Sequence, residues 1–256
     1  MNAGEATAAN TSSAPSLIQR RVAAIPTRLF AGIRRIVHAM IYHISIKRAI
    51  SRFDVTSLFG LTLCIPPTVF HPRFFRTSRI FAQFLGTQNF QGELVLEMGC
   101  GSGLLSLIAA RQGAKVTALD VNSAAVAAAG FNSTLNGLEN SIRCLESDLF
   151  SALHERDTFD CIIWSPPFYP KDPVSMAERA WYSGSGYSVI REFAHTARNH
   201  MRPHGRMLLL RSTEVDEDMI RSMFSEEGFS SAAAYCQHRP FETVTVYELR
   251  WVGSTS

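Results

Sequence analysis

The chain has 256 residues, of which 46% are hydrophobic, and a formal net charge of +3 at pH 7. This composition is sufficient for one sizeable hydrophobic core and excludes a disordered or fibrous protein. Five cysteines occur in odd number, without the spacing of a zinc site or a redox motif. We therefore expect a reduced, cytoplasmic protein that holds no structural metal.

The basic residues are concentrated in an N-terminal arm. Residues 16–53 contain eight Lys and Arg and no acidic residue, whereas residues 54–256 contain 17 Lys and Arg against 21 Asp and Glu. We predict a disordered tail over residues 1–15, because it is rich in Ala, Ser and Thr, and a basic helical segment over residues 16–58. The longest uncharged run of the arm, residues 36–46, is too short to cross a bilayer. An acid-poor, basic N-terminus is also typical of organelle transit peptides, which is the alternative location.

Residues 59–256 are predicted to form a hairpin followed by an alternation of strands and helices. The hairpin is placed at residues 59–65 and 68–70, on either side of Pro66 and Pro67. Strands are predicted at 94–99, 115–121, 141–148, 159–165, 206–212, 231–238 and 243–251. Helices are predicted at 103–113, 123–137, 187–201 and 216–228, with a short helical connector before the strand at 159.

These strands are buried apolar runs without polar alternation, which predicts an α/β fold with a doubly wound, mostly parallel sheet. The tight connection at Arg239 and Pro240 predicts that one of the last two strands is antiparallel.

Three glycines separate the strand at residue 94 from the helix that follows it, in the sequence VLEMGCGSG of residues 95–103. Gly99, Gly101 and Gly103 in such a turn allow the backbone to approach a ligand closely. Tight packing between helix and strand would by itself explain one or two of them. Asp120 ends the next strand, 21 residues after Gly99, where a carboxylate can accept both hydroxyls of a ribose.

Glu97 distinguishes between possible cofactors. A carboxylate just before the glycines would repel a pyrophosphate, whereas it suits a ligand that carries an ammonium and a sulfonium. The third glycine also comes one residue too early for the dinucleotide pattern. Asp148, at the end of the third strand, can accept a hydrogen bond from an adenine amino group. The pattern therefore predicts S-adenosylmethionine as the cofactor.

The fourth strand of the alternating region ends in Ser165-Pro166-Pro167-Phe168. Taken alone, this segment could be a proline turn with a core phenylalanine. In an open α/β sheet, however, ligands bind beyond the carboxyl ends of the central strands. We therefore expect Ser165 to lie near the sulfonium and Phe168 to offer a stacking surface to a planar substrate.

The order E-x-G-x-G-x-G, Asp120, Asp148 and S-P-P-F resembles the class I (Rossmann-like) methyltransferases. It is most similar to their HemK-like branch of protein-glutamine and small-domain amino-methyltransferases, over residues 59–251. The resemblance implies that the Ser165 side chain and the Pro166 carbonyl hold the nitrogen that is methylated. Glutamine methyltransferases carry Asn at position 165, so Ser165 supports transfer to nitrogen while leaving glutamine open as the acceptor.

Four further residues are candidate substrate contacts. His71 and Arg73 follow the predicted hairpin, while Tyr169 and Trp181 belong to the loop after the S-P-P-F motif, where a substrate lid is usual. Trp164 is expected in the core, and His195, His200 and His204 at the surface.

Three functions are compatible with the sequence. The first is N-methylation of an amine or amide in a small molecule or a protein side chain. The second is methylation of an RNA base, with the basic arm binding phosphates. The third is a non-catalytic, cofactor-binding scaffold at a membrane surface.

Overall fold

The computed structural model describes residues 51–213, 217–238 and 242–253. The predicted tail of residues 1–15 and the predicted basic helical segment up to residue 50 lie outside these ranges. The strands are β1 (Asp54–Leu58), β2 (Leu61–Ile65), β3 (Leu94–Met98), β4 (Lys115–Asp120), β5 (Ile142–Glu146), β6 (Phe159–Trp164), β7 (Met201–Ser212), β8 (Phe229–His238) and β9 (Thr243–Trp251). The helices are α1 (Arg76–Leu85), α2 (Leu104–Arg111), α3 (Ser123–Leu135), α4 (Ser188–Ala197) and α5 (Glu217–Glu226).

In the described part of the chain, β3 to β9 form a seven-stranded sheet in the order β5-β4-β3-β6-β7-β9-β8. The strands from β5 to β7 in this order pair in parallel, and β9 runs antiparallel to both of its neighbours. This confirms the predicted fold class and the antiparallel strand near the C-terminus. The chain adds β4 and β5 on one side of β3 and then β6 and β7 on the other, so the strand order reverses between β3 and β6 at the centre of the sheet.

Apolar side chains cover both faces of this sheet. Val95 and Ile163 pack with α1, α2 and α3 on one face. Leu96 and Ile162 pack with α4 and α5 on the other face. Successive strand residues thus enter opposite apolar layers, which explains why the strands read as continuous hydrophobic runs.

The hairpin was predicted at the wrong position. Strand β1 pairs antiparallel with β2 through a turn at Phe59 and Gly60, both of which have positive φ angles. Residues 66–69 form a turn after β2 instead of the tip of the hairpin. Strand β1 also lies within residues 16–58, which were predicted to be helical. A glycine that can adopt a positive φ closes this hairpin more easily than two prolines do.

The structure differs from the sequence-based prediction at four further places. Helix α1 was not predicted, and residues 147–158 contain turns where a short helical connector was expected. Strand β7 begins at Met201, which pairs with Phe159 ahead of a bulge, five residues before the predicted start. His200 was predicted at the surface, but it is buried, stacks on Phe150 and bonds the Asp157 carbonyl oxygen.

No helix within the described ranges is long and apolar enough to cross a membrane.

Two asparagines, Asn132 of α3 and Asn136 at its C-terminal cap, attach the hairpin to the sheet domain. The Asn132 side chain accepts the N–H of Cys64 at 2.8 Å and donates to the Cys64 carbonyl at 3.0 Å and the Ser102 carbonyl at 2.9 Å. Asn136 bonds the backbone N–H and C=O of Thr62 in the same way. The two side-chain amides thus form hydrogen bonds with backbone groups of β2 that a neighbouring strand would otherwise form. Asn132 also holds the loop that contains the three glycines.

We predict that Asn132→Ala lowers the free energy of unfolding by about 2–4 kcal/mol, because it leaves the buried carbonyl of Ser102 and two part-buried backbone groups of Cys64 without partners. Asn136→Ala is the matched control. Its bonds are more exposed, so water can replace them and we expect a loss below about 1 kcal/mol. Urea unfolding followed by circular dichroism measures both values. Equal losses in the two variants would contradict the role assigned to Asn132.

Candidate functional site

The register of four parallel strands brings the predicted site residues to one edge of the sheet. Met98, the last residue of β3, pairs with Leu119 of β4 and with Trp164 of β6. The residues that follow, Gly99 and Ser165, therefore leave neighbouring strands at the same level. Asp120 ends β4 at this level, and it pairs with Glu146, two residues before Asp148. The cofactor motifs and the S-P-P-F motif thus meet at the carboxyl edge, as predicted.

The three glycines have different roles. All three have positive φ angles of 53–80°, which residues other than glycine rarely adopt. A Cβ atom at Gly103 would lie 3.0 Å from the Cβ of Ala129, so Gly103 allows close packing of the turn against α3. A Cβ at Gly99 would meet nothing within 4 Å, and one at Gly101 would meet Phe70 at 3.8 Å. Gly99 and Gly101 therefore leave the backbone accessible to a ligand.

The carboxylate of Asp120 is oriented by the backbone around it. Its Oδ2 accepts the N–H of Gly101 at 2.8 Å, and its Oδ1 accepts the N–H of Asn122 at 2.9 Å. Burial raises the pKa of this carboxyl, and these backbone hydrogen bonds oppose the shift. Each oxygen retains capacity for a second hydrogen bond. Asp120 therefore links the glycine turn to the end of β4 and has acceptors suited to a diol.

Glu97 lies in a different environment from the one predicted. It is only 2% exposed, and its Oε2 accepts both the backbone N–H of Ser106, at 2.7 Å, and the Ser106 hydroxyl. Burial raises its pKa from 4.5 to about 8. Glu97 is thus bonded to the start of α2 and protonated at neutral pH. The prediction that a negative charge on Glu97 selects the ligand therefore does not hold for the ligand-free protein. A cation beside it would restore the carboxylate.

Asp148 is exposed at the edge of the site and forms an ion pair. Its side chain is 65% exposed, and its Oδ2 lies 3.1 Å from Nη1 of Arg179. Arg179 belongs to a short 3₁₀ turn, Ala177–Ala180, in the loop after the S-P-P-F motif. That loop therefore reaches the side of the site assigned to adenine, a contact that the sequence analysis did not anticipate.

The S-P-P-F segment leaves the sheet without regular secondary structure. Ser165 and Phe168 are half-buried and Pro166 is buried. Phe168 packs against the apolar layers on both faces of the sheet, so it has the core role considered as the alternative, while the residue as a whole is only half-buried. Trp164 stacks on Phe193 with ring centroids 3.7 Å apart and belongs to the core, as predicted.

The loop of residues 169–187 folds back on itself. Tyr169 donates its backbone N–H to the Trp181 carbonyl, and its own carbonyl accepts the Ser183 N–H, both at 2.9 Å. Gly184 closes the loop with a φ of 79°, and a Cβ there would overlap the Ser188 hydroxyl at 2.1 Å. These contacts make the predicted lid an ordered loop with its own hydrogen bonds.

An aromatic cluster lies beside the glycine turn, where Phe70 is close to Gly101. The Trp181 ring lies 4.9 Å from that of Phe70 and 4.5 Å from that of Phe75, and the two phenylalanines stack at 4.1 Å. Trp181 is 8% exposed, so it is not a solvated surface residue. Phe70 and Phe75 were not predicted to belong to the site, and their only signal in the sequence is the aromatic run VFHPRFF of residues 69–75.

His71 has a structural role in place of the predicted substrate contact. It is fully buried, and its Nδ1 accepts the backbone N–H of Arg73 at 3.3 Å. Its Nε2 therefore carries the proton and donates to the Asp54 carboxylate at 2.8 Å. This pair holds β1 to the loop after β2. The Arg73 side chain is exposed.

Among the described residues, no group of three or more His, Cys, Asp and Glu side chains is placed to hold a metal ion.

The pKa of Glu97 predicts a pH-dependent stability. The folded protein keeps a proton on Glu97 up to about pH 8, whereas the unfolded chain loses it near pH 4.5. The contribution of Glu97 protonation to the free energy of unfolding is complete below pH 4.5. It falls as the pH rises to 8, by up to about 1.4 kcal/mol per pH unit. Asp120 acts in the same direction, since its pKa is also raised.

We expect Glu97→Gln to flatten the decrease in unfolding free energy between pH 5 and pH 8, measured by urea denaturation without ligand. Glu146→Gln, at an exposed position of β5, serves as the control and should keep the wild-type slope. Parallel curves for wild type and Glu97→Gln would show that Glu97 is not protonated in the folded state.

The family model described as methyltransferase small domain matches residues 60–242. A putative protein N5-glutamine methyltransferase of Methanocaldococcus jannaschii is 30% identical over 158 residues, which cover 59% of this chain and 78% of that protein. A release factor glutamine methyltransferase of Cereibacter sphaeroides is 33% identical over 127 residues, which cover 45% of each chain.

Among solved structures, a T. thermophilus 16S rRNA methyltransferase in complex with AdoMet and guanosine has the same fold. The TM-score is 0.57 at 24% identity, over 78% of this chain and 50% of that one. This chain thus spans about half the length of the T. thermophilus enzyme and of the Cereibacter enzyme. The family model covers most of the described residues and includes all four motifs. The chain therefore belongs to the methyltransferase small domain family and is a class I S-adenosylmethionine-dependent methyltransferase.

Proposed function

We propose that this enzyme methylates a nitrogen atom that belongs to a planar, conjugated group, either an amide or an aromatic amine. The observation that carries the proposal is the pairing of Met98 with Trp164, which places Ser165 beside Gly99 at the carboxyl edge. Acceptor groups of the S-P-P-F segment thus adjoin the glycine turn. The relatives support the same chemistry, since the name of the Methanocaldococcus protein specifies N5 of a protein glutamine and that of the solved structure specifies N2 of a guanosine in 16S rRNA.

The residues at the carboxyl edge fit S-adenosylmethionine. Gly99 and Gly101 provide accessible backbone, and the oriented Asp120 carboxylate provides acceptors for the ribose hydroxyls. Glu97 can balance a positive charge by releasing its proton. Asp148 would accept from the adenine amino group, in competition with Arg179. The bound cofactor supplies an electrophilic methyl group, and the protein contributes the positioning of the acceptor.

Ser165 and Pro166 are proposed to hold the acceptor nitrogen. In an amide or an aromatic amine, the nitrogen lone pair is delocalised and is a poor nucleophile. Hydrogen bonds from its N–H groups to the Ser165 hydroxyl oxygen and to the Pro166 carbonyl oxygen favour a pyramidal nitrogen with a localised lone pair. Pro166 and Pro167 have no N–H that could compete for these acceptors.

The ring of the half-buried Phe168 is proposed to stack on the planar acceptor, and its packing against both apolar layers fixes its position. The identity of residue 165 bears on the acceptor's size. Serine is shorter than the asparagine of glutamine methyltransferases, so this site has more room between residue 165 and the nitrogen.

Five free cysteines support our proposal of a reducing, cytoplasmic location. Burial raises the pKa of Cys161 to about 12, which leaves this thiol unreactive at neutral pH.

We predict that Asp120→Ala weakens the binding of S-adenosylmethionine by about 1.5–3 kcal/mol, because charged hydrogen bonds to the ribose are lost. Asp160→Ala is the matched control, since Asp160 also accepts a backbone N–H, that of Leu94 at 2.8 Å, but lies at the start of β6. Isothermal titration calorimetry should give wild-type affinity for this control. Unchanged affinity in Asp120→Ala would rule out the assignment to the ribose.

We predict that Ser165→Ala lowers kcat by roughly 10–100-fold with unchanged cofactor affinity, because its hydrogen bond forms mainly in the transition state. Phe168→Ala should instead raise KM, since stacking stabilises the bound substrate and the transition state alike. Ser230→Ala, on β8 and away from the site, is the control.

Fragmentation mass spectrometry of the product, with glutamine peptides and nucleic-acid fragments as acceptors, identifies the methylated atom. A methyl group on oxygen, sulfur or carbon, or full activity of Ser165→Ala, would overturn the proposed mechanism.

A further inference from the structure

Basic and aromatic side chains alternate at the start of α1. The side chains of Arg73, Arg76 and Arg79 are exposed, and the ring of Phe74 between them is 54% exposed. Within the described ranges, none of the three guanidinium groups forms an ion pair. We call these four residues the basic strip.

The basic strip is positive on an acidic body. Residues 55–92 contain only these three arginines as charged residues, whereas residues 93–256 contain 14 Lys and Arg against 20 Asp and Glu. Asp54, the acidic residue just before this stretch, is bonded to His71. The potential over the strip therefore attracts anions, while the rest of the domain repels them.

The basic strip adjoins the candidate site through Phe75. This residue lies between Phe74 and Arg76 in the chain, and its ring packs on Phe70 and Trp181. The Cβ of Phe70 is 3.8 Å from the position that a Cβ of Gly101 would occupy. A ligand bound along the strip is thus only one aromatic layer away from the glycine turn.

We propose that the basic strip binds a single-stranded nucleic acid and presents one of its bases to Ser165. This inference rests on the proposed N-methyl transfer. Guanidinium groups bind successive phosphates, and an exposed aromatic ring stacks on an unpaired base. Three cations that have no ion-pair partner among the described residues, placed around an exposed ring, match a repeating anion with planar groups better than they match a polypeptide. A single strand is favoured over a duplex, because a paired base would first have to be flipped out of its stack to reach Ser165.

The test uses fluorescence anisotropy of the full-length chain with a labelled mixed-sequence 12-mer, as RNA, as DNA and as the duplex, at several salt concentrations. We expect Arg73→Gln/Arg76→Gln/Arg79→Gln to raise the Kd for the single strand at least tenfold at low salt. The slope of log K against log salt should become shallower by about 2, since each phosphate contact on a single strand contributes about 0.7. Phe74→Ala should weaken binding without changing the slope, because stacking releases no counterions.

The matched control is Arg143→Gln/Arg156→Gln/Arg221→Gln, which removes the same charge at three exposed positions away from the strip. It should bind like wild type, and all variants should keep the wild-type affinity for S-adenosylmethionine. Preference for RNA or for DNA identifies the type of strand. Equal Kd values for the two triple variants, or tighter binding of the duplex, would overturn the inference.

Failure of the inferred nucleic-acid binding by the basic strip is distinguishable from failure of the proposed N-methyl transfer. Methylation of a glutamine nitrogen in a peptide, without single-strand binding to the basic strip, would reject the nucleic-acid surface and retain N-methyl transfer. Binding to the strip accompanied by methylation of a base carbon would retain the surface and reject transfer to nitrogen.

Discussion

Parallel pairing of β3 with β4 and β6 is the interaction on which the candidate site depends. Because Met98 is level with both Leu119 and Trp164, three chain segments that are distant in sequence leave the sheet together. A shift of one residue in either pairing would exchange the faces of the strand and bury the wrong side chains, so the two apolar layers hold the register. The positions of Gly99, Asp120 and Ser165 thus follow from the same packing that stabilises the fold.

Backbone donors then orient the acidic groups of the site. Asp120 accepts N–H groups from the glycine turn and from the start of α3, and Glu97 accepts one from α2. Removing a carboxyl from water is costly, and these bonds only partly offset that cost, which is why both pKa values are raised. A positive charge beside Glu97 would therefore stabilise its ionised form, and a sulfonium-bearing cofactor supplies such a charge.

The hairpin and the loop of residues 169–187 are each attached to the domain by contacts near the glycine turn or at the edge of the site. The hairpin is attached through Asn132, which also bonds the Ser102 carbonyl in the glycine turn. The loop is attached through the ring of Trp181 and the ion pair of Arg179 with Asp148. That ion pair is largely exposed, and such pairs contribute little to stability. The aromatic contacts therefore hold the loop, and Asp148 remains accessible to another partner at small cost.

Much of the fold and of the cofactor site could be predicted from local sequence. Buried apolar runs of five or six residues separated by helical spacing indicate a parallel sheet, and the glycine turn, Asp120 and the S-P-P-F segment follow strands directly. Such signals lie within a few residues of the structure that they predict, so the carboxyl ends of β3 to β6 were predicted to within two residues, whereas the roles of the site residues stay predictions.

The tertiary structure decided features that depend on contacts between distant segments. The pairing partner of β2, the burial of Glu97 against Ser106, the bond of His71 to Asp54 and the cluster around Trp181 all join residues that no local pattern connects. The sequence shows which residues can ionise or stack. Only the packed chain determines which of them are removed from water and which partners they then meet, and desolvation and partners set their chemistry.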